Sequence, residues 1–402
     1  LKKLFVATEE DIMQGRTMDI YFQRSRKVLE ALGLEKMYVK AEFSTGSLPS
    51  SWKWAVICGT EEVIRLMEGR PIDIYGIPEG TIWQPRSRRG ARIPLMNVEG
   101  QYCDFGEMET SMLGMLCHAS GVATMAARCK LAAGMKPLMA FGNRRMHPAL
   151  APMLDRSAYI GGCDGVASPI GAELIGERPM GTVPHALMLI VGDEAQAYKA
   201  FDKHSDPDVP RIMLVDTFSD ERFGALIASE NVPDLEGIRL DTPSSRKGSF
   251  RELIQEVRWE LDLRGYKDVK IIATGGLDEW SLLELRDAGA DLFGIGTSIV
   301  SAPTVDFSMD IVERDAIPVS KRGKFSGRKY PFRCPDCFCM DLSLSPEDEL
   351  RCSCGAVMEM IEEPLIKDGR RVGKERNPSE IRGHVISQLR QIVETEDIER
   401  NL

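Results

Sequence analysis

Between residues 137 and 296 the chain repeats one local pattern seven times: a short, almost unalternated apolar segment that ends on Gly, Asp, Thr, His or Asn. The segments are 137–141, 162–167, 181–184, 211–215, 237–240, 269–273 and 290–296. A brief run without alternation is the mark of a strand buried on both faces, as in a parallel sheet. Starts lie 19 to 32 residues apart, which leaves room for a loop and a crossover helix between strands. The helices are visible too. In 251–263, Leu253, Ile254, Val257 and Leu261 share a face that Arg251, Glu252, Glu256 and Arg258 avoid, and 278–287 repeats the idea with Leu282, Leu283 and Leu285. Seven units fit an α/β barrel better than a doubly wound sheet, because polar groups end many different strands, where barrel enzymes gather their chemistry.

The rest of the chain brackets this core. Residues 1–120 mix short strands, helices and Pro/Gly turns, and 107–130 reads as a long helix rich in small residues, with Gly114 and Gly121 as possible interruptions. The barrel is expected over 121–305, a basic, turn-rich segment over 306–330, and a cysteine module over 331–402 with a closing helix at 381–398. A length of 402 residues accommodates two to three domains at roughly 150 residues each. With 43% hydrophobic and 28% charged residues the composition is globular, which excludes disorder and fibres. The net charge of −10 argues against a nucleic-acid coat but not against a local basic patch for an anionic substrate. The longest apolar run, 186–191, is too short to cross a bilayer. Lys2 and Lys3 are followed by no apolar stretch, so no signal peptide and a cytoplasmic location are expected.

Candidate chemistry clusters at the strand ends. Thr274-Gly275-Gly276 and Gly294-Ile295-Gly296-Thr297-Ser298 close consecutive late segments, and such glycines either turn tight loops or aim backbone amides at a phosphate. Asp216 and Asp241 follow two strands, and Asp164 sits among glycines at 161–165; each would hold a cation or ribose hydroxyls, or cap a helix. Arg239 shares a strand side with Asp241. Phe141 with Arg144 and Arg145 suits a planar aromatic acid, the ring stacking and the guanidinium taking the carboxylate, although a basic surface turn would read alike. His185 is one of five histidines and sits at a segment end, as a core residue or a reactive one. Lys321, Arg322 and Lys324, with Arg328 and Lys329, form either a solvated loop or a clamp over a polyphosphate.

Five of the ten cysteines fall within 334–354. Cys334, Cys337, Cys352 and Cys354 make two knuckles suited to a structural zinc, with Cys339 as a fifth candidate, so the ligand choice stays open. A zinc ribbon is also a nucleic-acid module, but acidic flanks such as Glu347, Asp348 and Glu349 oppose a non-catalytic binding protein of that kind.

Taken in order, residues 19–24, 78–80, 97–102, 141–145, 161–165, 181–185, 216–218, 239–241, 275–276, 294–298 and 321–324 resemble the motifs of the nicotinate phosphoribosyltransferase family, most closely archaeal-type members with a C-terminal zinc knuckle. The resemblance implies a type II phosphoribosyltransferase fold, an irregular α/β barrel on an N-terminal α/β sandwich. It implies transfer of phosphoribosyl from 5-phosphoribosyl 1-pyrophosphate to nicotinate, with Mg2+ on the pyrophosphate substrate and ATP as co-substrate, in NAD salvage. By the same resemblance Tyr21 and Phe141 would sandwich the pyridine, with Asp19 close by and Arg144 on the carboxylate. Asp216, Asp241 and Arg239 would serve the reacting ribose, and His185 would carry a phosphoryl group. Gly275, Gly276, Gly296 and Thr297 would hold the 5-phosphate, and Lys321, Arg322 and Lys324 the pyrophosphate. The family's active sites are shared across a subunit interface, so a homo-oligomer built from dimers is implied, with no nucleic-acid or membrane partner. Ala167 stands where the nicotinamide enzyme carries a carboxylate, which favours the acid; quinolinate, with two carboxylates, is the runner-up.

Overall fold

Six of the seven apolar segments pair as one parallel sheet in the computed structural model, which describes residues 4–242, 245, 248–395 and 402. The sheet belongs to a unit spanning Met125–Ala302. Its strands lie in the order Gly165–Val166, Leu138–Ala140, Leu292–Ile295, Lys270–Ala273, Gly237–Leu240 and Ile212–Leu214. Registers such as Ala140 beside Ile295 and Ala273 beside both Phe293 and Leu240 bring the C-terminal ends level, so the following loops meet along one rim. Among the described residues the outer strands pair with no further strand, and the sheet is a half-barrel.

The seventh segment departs from expectation. The Met180 amide donates to the Val166 carbonyl at 2.8 Å, and the chain then leaves the edge and runs uncoupled through 181–184 into the helix His185–Val191. Pro179 and Pro184 supply no N–H for a ladder, which explains why one contact is not followed by a strand. Asp164 is a second correction. Its carboxylate accepts from the Leu138 amide at 2.8 Å and from buried Lys130 at 2.6 Å, which ties it to the foot of the sheet, away from the rim. The helices behave as the periodicity predicts: Phe250–Leu263, capped by Ser249, buries Phe250, Ile254, Val257 and Leu261.

The other unit comprises residues up to Thr124 and Pro303–Thr395, so one boundary falls inside the unbroken helix Glu109–Ala132. Its centre is a seven-stranded antiparallel sheet, ordered Ile317–Pro318, Ser308–Arg314, Tyr38–Ser44, Met96–Gln101, Ile72–Gly76, Glu363–Lys367 and Arg370–Arg371. The closing helix Pro378–Thr395 buries Ile381, Val385, Leu389 and Ile392, and its Gln388 bonds the Ile82 amide and the Gly80 carbonyl. The predicted extension to 398 lies outside the described residues.

Candidate active site

The rim of the half-barrel surrounds a cavity of about 520 Å³, inside the range for small-molecule sites. One wall is made of backbone and hydroxyls. The two loops Thr274–Leu277 and Gly294–Ser298 line it side by side. Gly275 and Gly276 sit at φ of +96° and +70°, left-handed backbone that other residues adopt only under strain, and both line the cavity. Thr297 opens a single helical turn, and the Ser298 hydroxyl is anchored on the Leu277 carbonyl at 2.6 Å.

The rest of the lining is aromatic and cationic. Phe141, Arg144, Arg145 and Arg239 line the cavity together with Ala167, Met180 and Thr182. The Phe141 ring lies directly over Gly294: a Cβ there would fall 2.6 Å from its edge, so the close approach requires glycine. Arg144 and Arg145 are exposed and, among the described residues, pair with no acid, which leaves both guanidinium groups available to an anion.

Two carboxylates end neighbouring strands, and of these Asp241 lines the cavity. Asp241 accepts from the Thr274 hydroxyl at 3.0 Å and lies 3.7 Å from the Arg239 guanidinium. The Asp216 side chain is 3% exposed, and among the described residues neither carboxylate oxygen has a hydrogen-bond partner. Burial, with a smaller push from Asp241, raises the Asp216 pKa above its ordinary value against the pull of His185. Burial likewise lowers the Arg239 pKa. His185 is half-exposed at the start of its helix, so it is no core histidine; Nδ1 lies 3.0 Å from the Thr217 hydroxyl, and Nε2 faces Asp216 and Asp241 at 3.8 and 4.0 Å. Two unmet carboxylate oxygens beside a second carboxylate form a hard-oxygen set that fits a divalent cation bound jointly with a phosphorylated ligand.

The structure also shows partners that sequence reasoning passed over. Thr274 bonds both the Leu240 carbonyl and Asp241, joining two strand ends. Buried Glu194 accepts from the Phe218 and Ser219 amides and fixes the loop that carries Thr217. Asp155, in the middle of a helix, binds the loops at 143 and 168. An acid inside an apolar helix face was the available signal for the last.

The remaining candidates belong to the other unit. Asp19 exchanges hydrogen bonds with Thr110 at the start of the helix Ile20–Ala31, and Tyr21, in the first turn of that helix, stands exposed. Asp310 binds Lys321 at 2.5 Å and also Lys324, and these two lysines hold its carboxylate below the ordinary range despite its burial. Arg322 is exposed. Arg328 and Lys329 are buried on Glu99, Glu362 and Glu42, so this end of the basic segment is internal structure and not a clamp. Burial, reinforced by Asp310, pushes nearby Glu109 up to about 7.

The four cysteines of the two knuckles converge, all sulfurs within 4.8 Å of one another. Cys334 to Cys354 and Cys337 to Cys352 are 3.4 Å and Cys337 to Cys354 is 3.9 Å. Tetrahedral zinc with Zn–S bonds near 2.3 Å sets sulfurs about 3.8 Å apart, so the quartet fits zinc without rearrangement and is far too open for disulfides. Cys339 stands outside the quartet and packs against its apolar base of Phe332 and Met358. Against the cost of burial, the Cys354 amide and neighbouring thiols bring Cys352 down to about 6, which favours a thiolate ligand.

Comparison with known proteins gives this geometry a family. Residues 19–120 and 122–310 match the profiles "Quinolinate phosphoribosyl transferase, N-terminal domain" and "C-terminal domain". A solved structure described as nicotinate-nucleotide pyrophosphorylase from Pyrococcus furiosus is 47% identical, covers 98% of this chain and 99% of its own, and superposes with a TM-score of 0.93. The chain belongs to the family that unites quinolinate and nicotinate phosphoribosyltransferases. A nicotinate phosphoribosyltransferase of Mycobacterium tuberculosis is 31% identical over 65% of the chain, and the match spans 59% of that enzyme's length. Human nicotinic acid phosphoribosyltransferase, at 18% identity, shares the fold over 93% of both chains with a TM-score of 0.72. The half-barrel, the antiparallel sheet and the cysteine module are therefore this family's mixed α/β, type II phosphoribosyltransferase fold. No helix among the described residues is long and apolar enough to cross a membrane.

Proposed function

We propose that this chain is a nicotinate phosphoribosyltransferase, joining nicotinate to 5-phosphoribosyl 1-pyrophosphate with release of pyrophosphate, as the entry of nicotinate into NAD salvage. The carrying observation is the make-up of the cavity lining: two glycine-rich, hydroxyl-bearing loops, Arg144 and Arg145 beside an aromatic ring, and Asp241, with buried Asp216 close to the same histidine. Those groups suit a substrate that carries a phosphate, a reacting ribose and a planar acid. Gly275, Gly276, Gly296 and Thr297 would hold the 5-phosphate. Phe141 would stack on the pyridine, with Tyr21 of a second copy on its other face in a shared-site dimer, and Arg144 would take the carboxylate. Asp19 would keep Tyr21 in place.

As pyrophosphate leaves, the ribose C1 gains positive charge, and Asp216 and Asp241 would stabilise it electrostatically. Arg239 holds Asp241 in place. Mg2+, when bound with the substrate between these carboxylates and the diphosphate, would neutralise charge on the leaving group. Lys321, Arg322 and Lys324 would cover that diphosphate. His185, with Nε2 facing Asp216 and Asp241, is the candidate acceptor of the ATP γ-phosphoryl group that couples hydrolysis to transfer. None of the ten cysteines is in a disulfide, which fits the reducing cytoplasm.

Quinolinate transfer with decarboxylation is the second reading, supported by the matching profiles and by a third guanidinium, Arg145, at the cavity. Ala167 and the conserved-length match to the pyrophosphorylase named for nicotinate nucleotide do not separate the two acids; the nicotinate names among the curated relatives favour the first. The purified, zinc-replete chain should be given phosphoribosyl pyrophosphate and Mg2+ with nicotinate, nicotinamide or quinolinate, each with and without ATP. Turnover of nicotinate alone, raised by ATP, is expected. Carbon dioxide release from quinolinate would install the second reading, and retained ATP stimulation in His185→Ala would remove the histidine from its role.

A further inference from the structure

Asp155 sits on the helix Ala151–Ile160, 2% exposed, and does not line the cavity. Its two oxygens accept from two different loops. Asn143 Nδ2 donates to both at 2.9 Å, the Ser168 amide donates to Oδ2 at 3.3 Å, and the Ser168 hydroxyl makes a further short bond to Oδ2. Asn143 immediately precedes Arg144, and Ser168 immediately follows Ala167. The loops leave adjacent strands, paired at Met139 and Gly165. Because Arg144 and Arg145 have no acidic partner among the described residues, the direction in which they reach depends on the backbone turn Asn143–Arg145 that carries them.

We propose that Asp155 is a positioning residue that clamps the Arg144 loop to the Ala167 loop and thereby sets discrimination for a pyridine carboxylate. The inference rests on the reading of the cavity as a nicotinate site. An ionised carboxylate accepts from all of these donors, whereas the isosteric amide would turn an N–H toward one of them. Burial raises the Asp155 pKa, which its hydrogen bonds from Ser168 and Asn143 oppose, so the ionised form depends on the two loops as they depend on it. A helix needs no such group to pack; an apolar side chain would do so at lower cost.

The test is steady-state kinetics on the full chain for wild type, Asp155→Asn, Asn143→Ala, Ser168→Ala and the double variant Asn143→Ala/Asp155→Asn, with melting temperatures alongside. Loss of the clamp should raise the nicotinate KM about 10-fold, the effect of losing hydrogen bonds to a charged group, while the KM for phosphoribosyl pyrophosphate stays within about 3-fold. The preference for nicotinate over nicotinamide should fall, and the double variant should be no worse than its worse single, because both break one clamp. If Asp155→Asn does not fold, Ser168→Ala, which removes a single hydroxyl, reads the same split. A joint rise of both KM values with lost melting temperature, or additive effects, would overturn the clamp. A wild type inert toward every pyridine acid would overturn the nicotinate reading and the clamp with it, whereas turnover of quinolinate would overturn only the substrate, with the same variants then read on quinolinate KM.

Discussion

Replacing Asp216 by asparagine should make the free protein more stable and nearly inactive. Among the described residues the two Asp216 carboxylate oxygens are buried and without hydrogen bonds, on a side chain 3% exposed. An unmet buried polar group costs roughly 1–3 kcal/mol, and a charge costs more unless it is paired. The nearest basic groups do not cancel this: His185 Nε2 stands at 3.8 Å, beyond hydrogen-bond reach, and Arg239 is engaged with Asp241. An amide of the same volume removes the charge and its repulsion from Asp241, so a gain of about 2 kcal/mol is expected. For a cooperative unit of about 150–250 residues that corresponds to roughly 4–8 °C in Tm. Activity should fall by about 10²–10³, since the charge that faces the developing cation is gone.

The pH dependence fixes the sign. A carboxyl whose folded pKa is raised stabilises the fold below its unfolded value and withdraws that stability as pH rises through the folded value. The Asp216 pKa is raised, so the advantage of the asparagine variant should be greatest at pH 7–8 and shrink as pH falls toward the ordinary carboxylate range. Differential scanning calorimetry across pH 4–8 without ligand reads both quantities. A variant that melts below wild type at pH 7.5 would refute the reasoning, because it would mean that the carboxylate is fully compensated in the folded protein.

Three further outcomes follow from distances. Metal analysis should find one zinc per chain; Cys337→Ser should abolish it and lower Tm, while Cys339→Ser keeps it, since only the former removes a sulfur from the quartet. Arg144→Ala should raise the KM for nicotinate by about 10–100-fold, the loss of a charge-assisted pair, and leave nicotinamide discrimination weakened; an unchanged KM would remove Arg144 from the acid site. Gly294→Ala should drive a methyl group into the Phe141 ring and the Thr274 methyl, both within 2.7 Å of the new carbon, costing about 2 kcal/mol by overpacking and weakening pyridine binding, measured by Tm and KM together.

The unalternated apolar runs made six parallel strands legible, because burial on both faces leaves a compositional mark that needs no knowledge of neighbours. The same rule misread 181–184, where composition is apolar but Pro179 and Pro184 remove the donors a ladder needs. Short range was the obstacle at Asp164 as well: flanking glycines suggested a loop at the rim, while the partner that decides its place, Lys130, lies 34 residues away. The cysteine pairs were local and therefore visible, yet the choice among five required the fold, since only the turn geometry excludes Cys339. At the cavity the pattern inverts. Groups that face solvent or a ligand, such as Arg144 and Arg145, stand out because they break a local rule without compensation nearby, whereas Glu194 is satisfied within the fold and leaves no such trace, and Asp155 shows only as an acid on an apolar helix face. Sequence therefore exposes the groups a ligand would touch more readily than those that aim them. Asp155 and Glu194, which tie separate loops together, are for that reason the positions at which a substitution outside the cavity lining should register in KM before it registers in Tm.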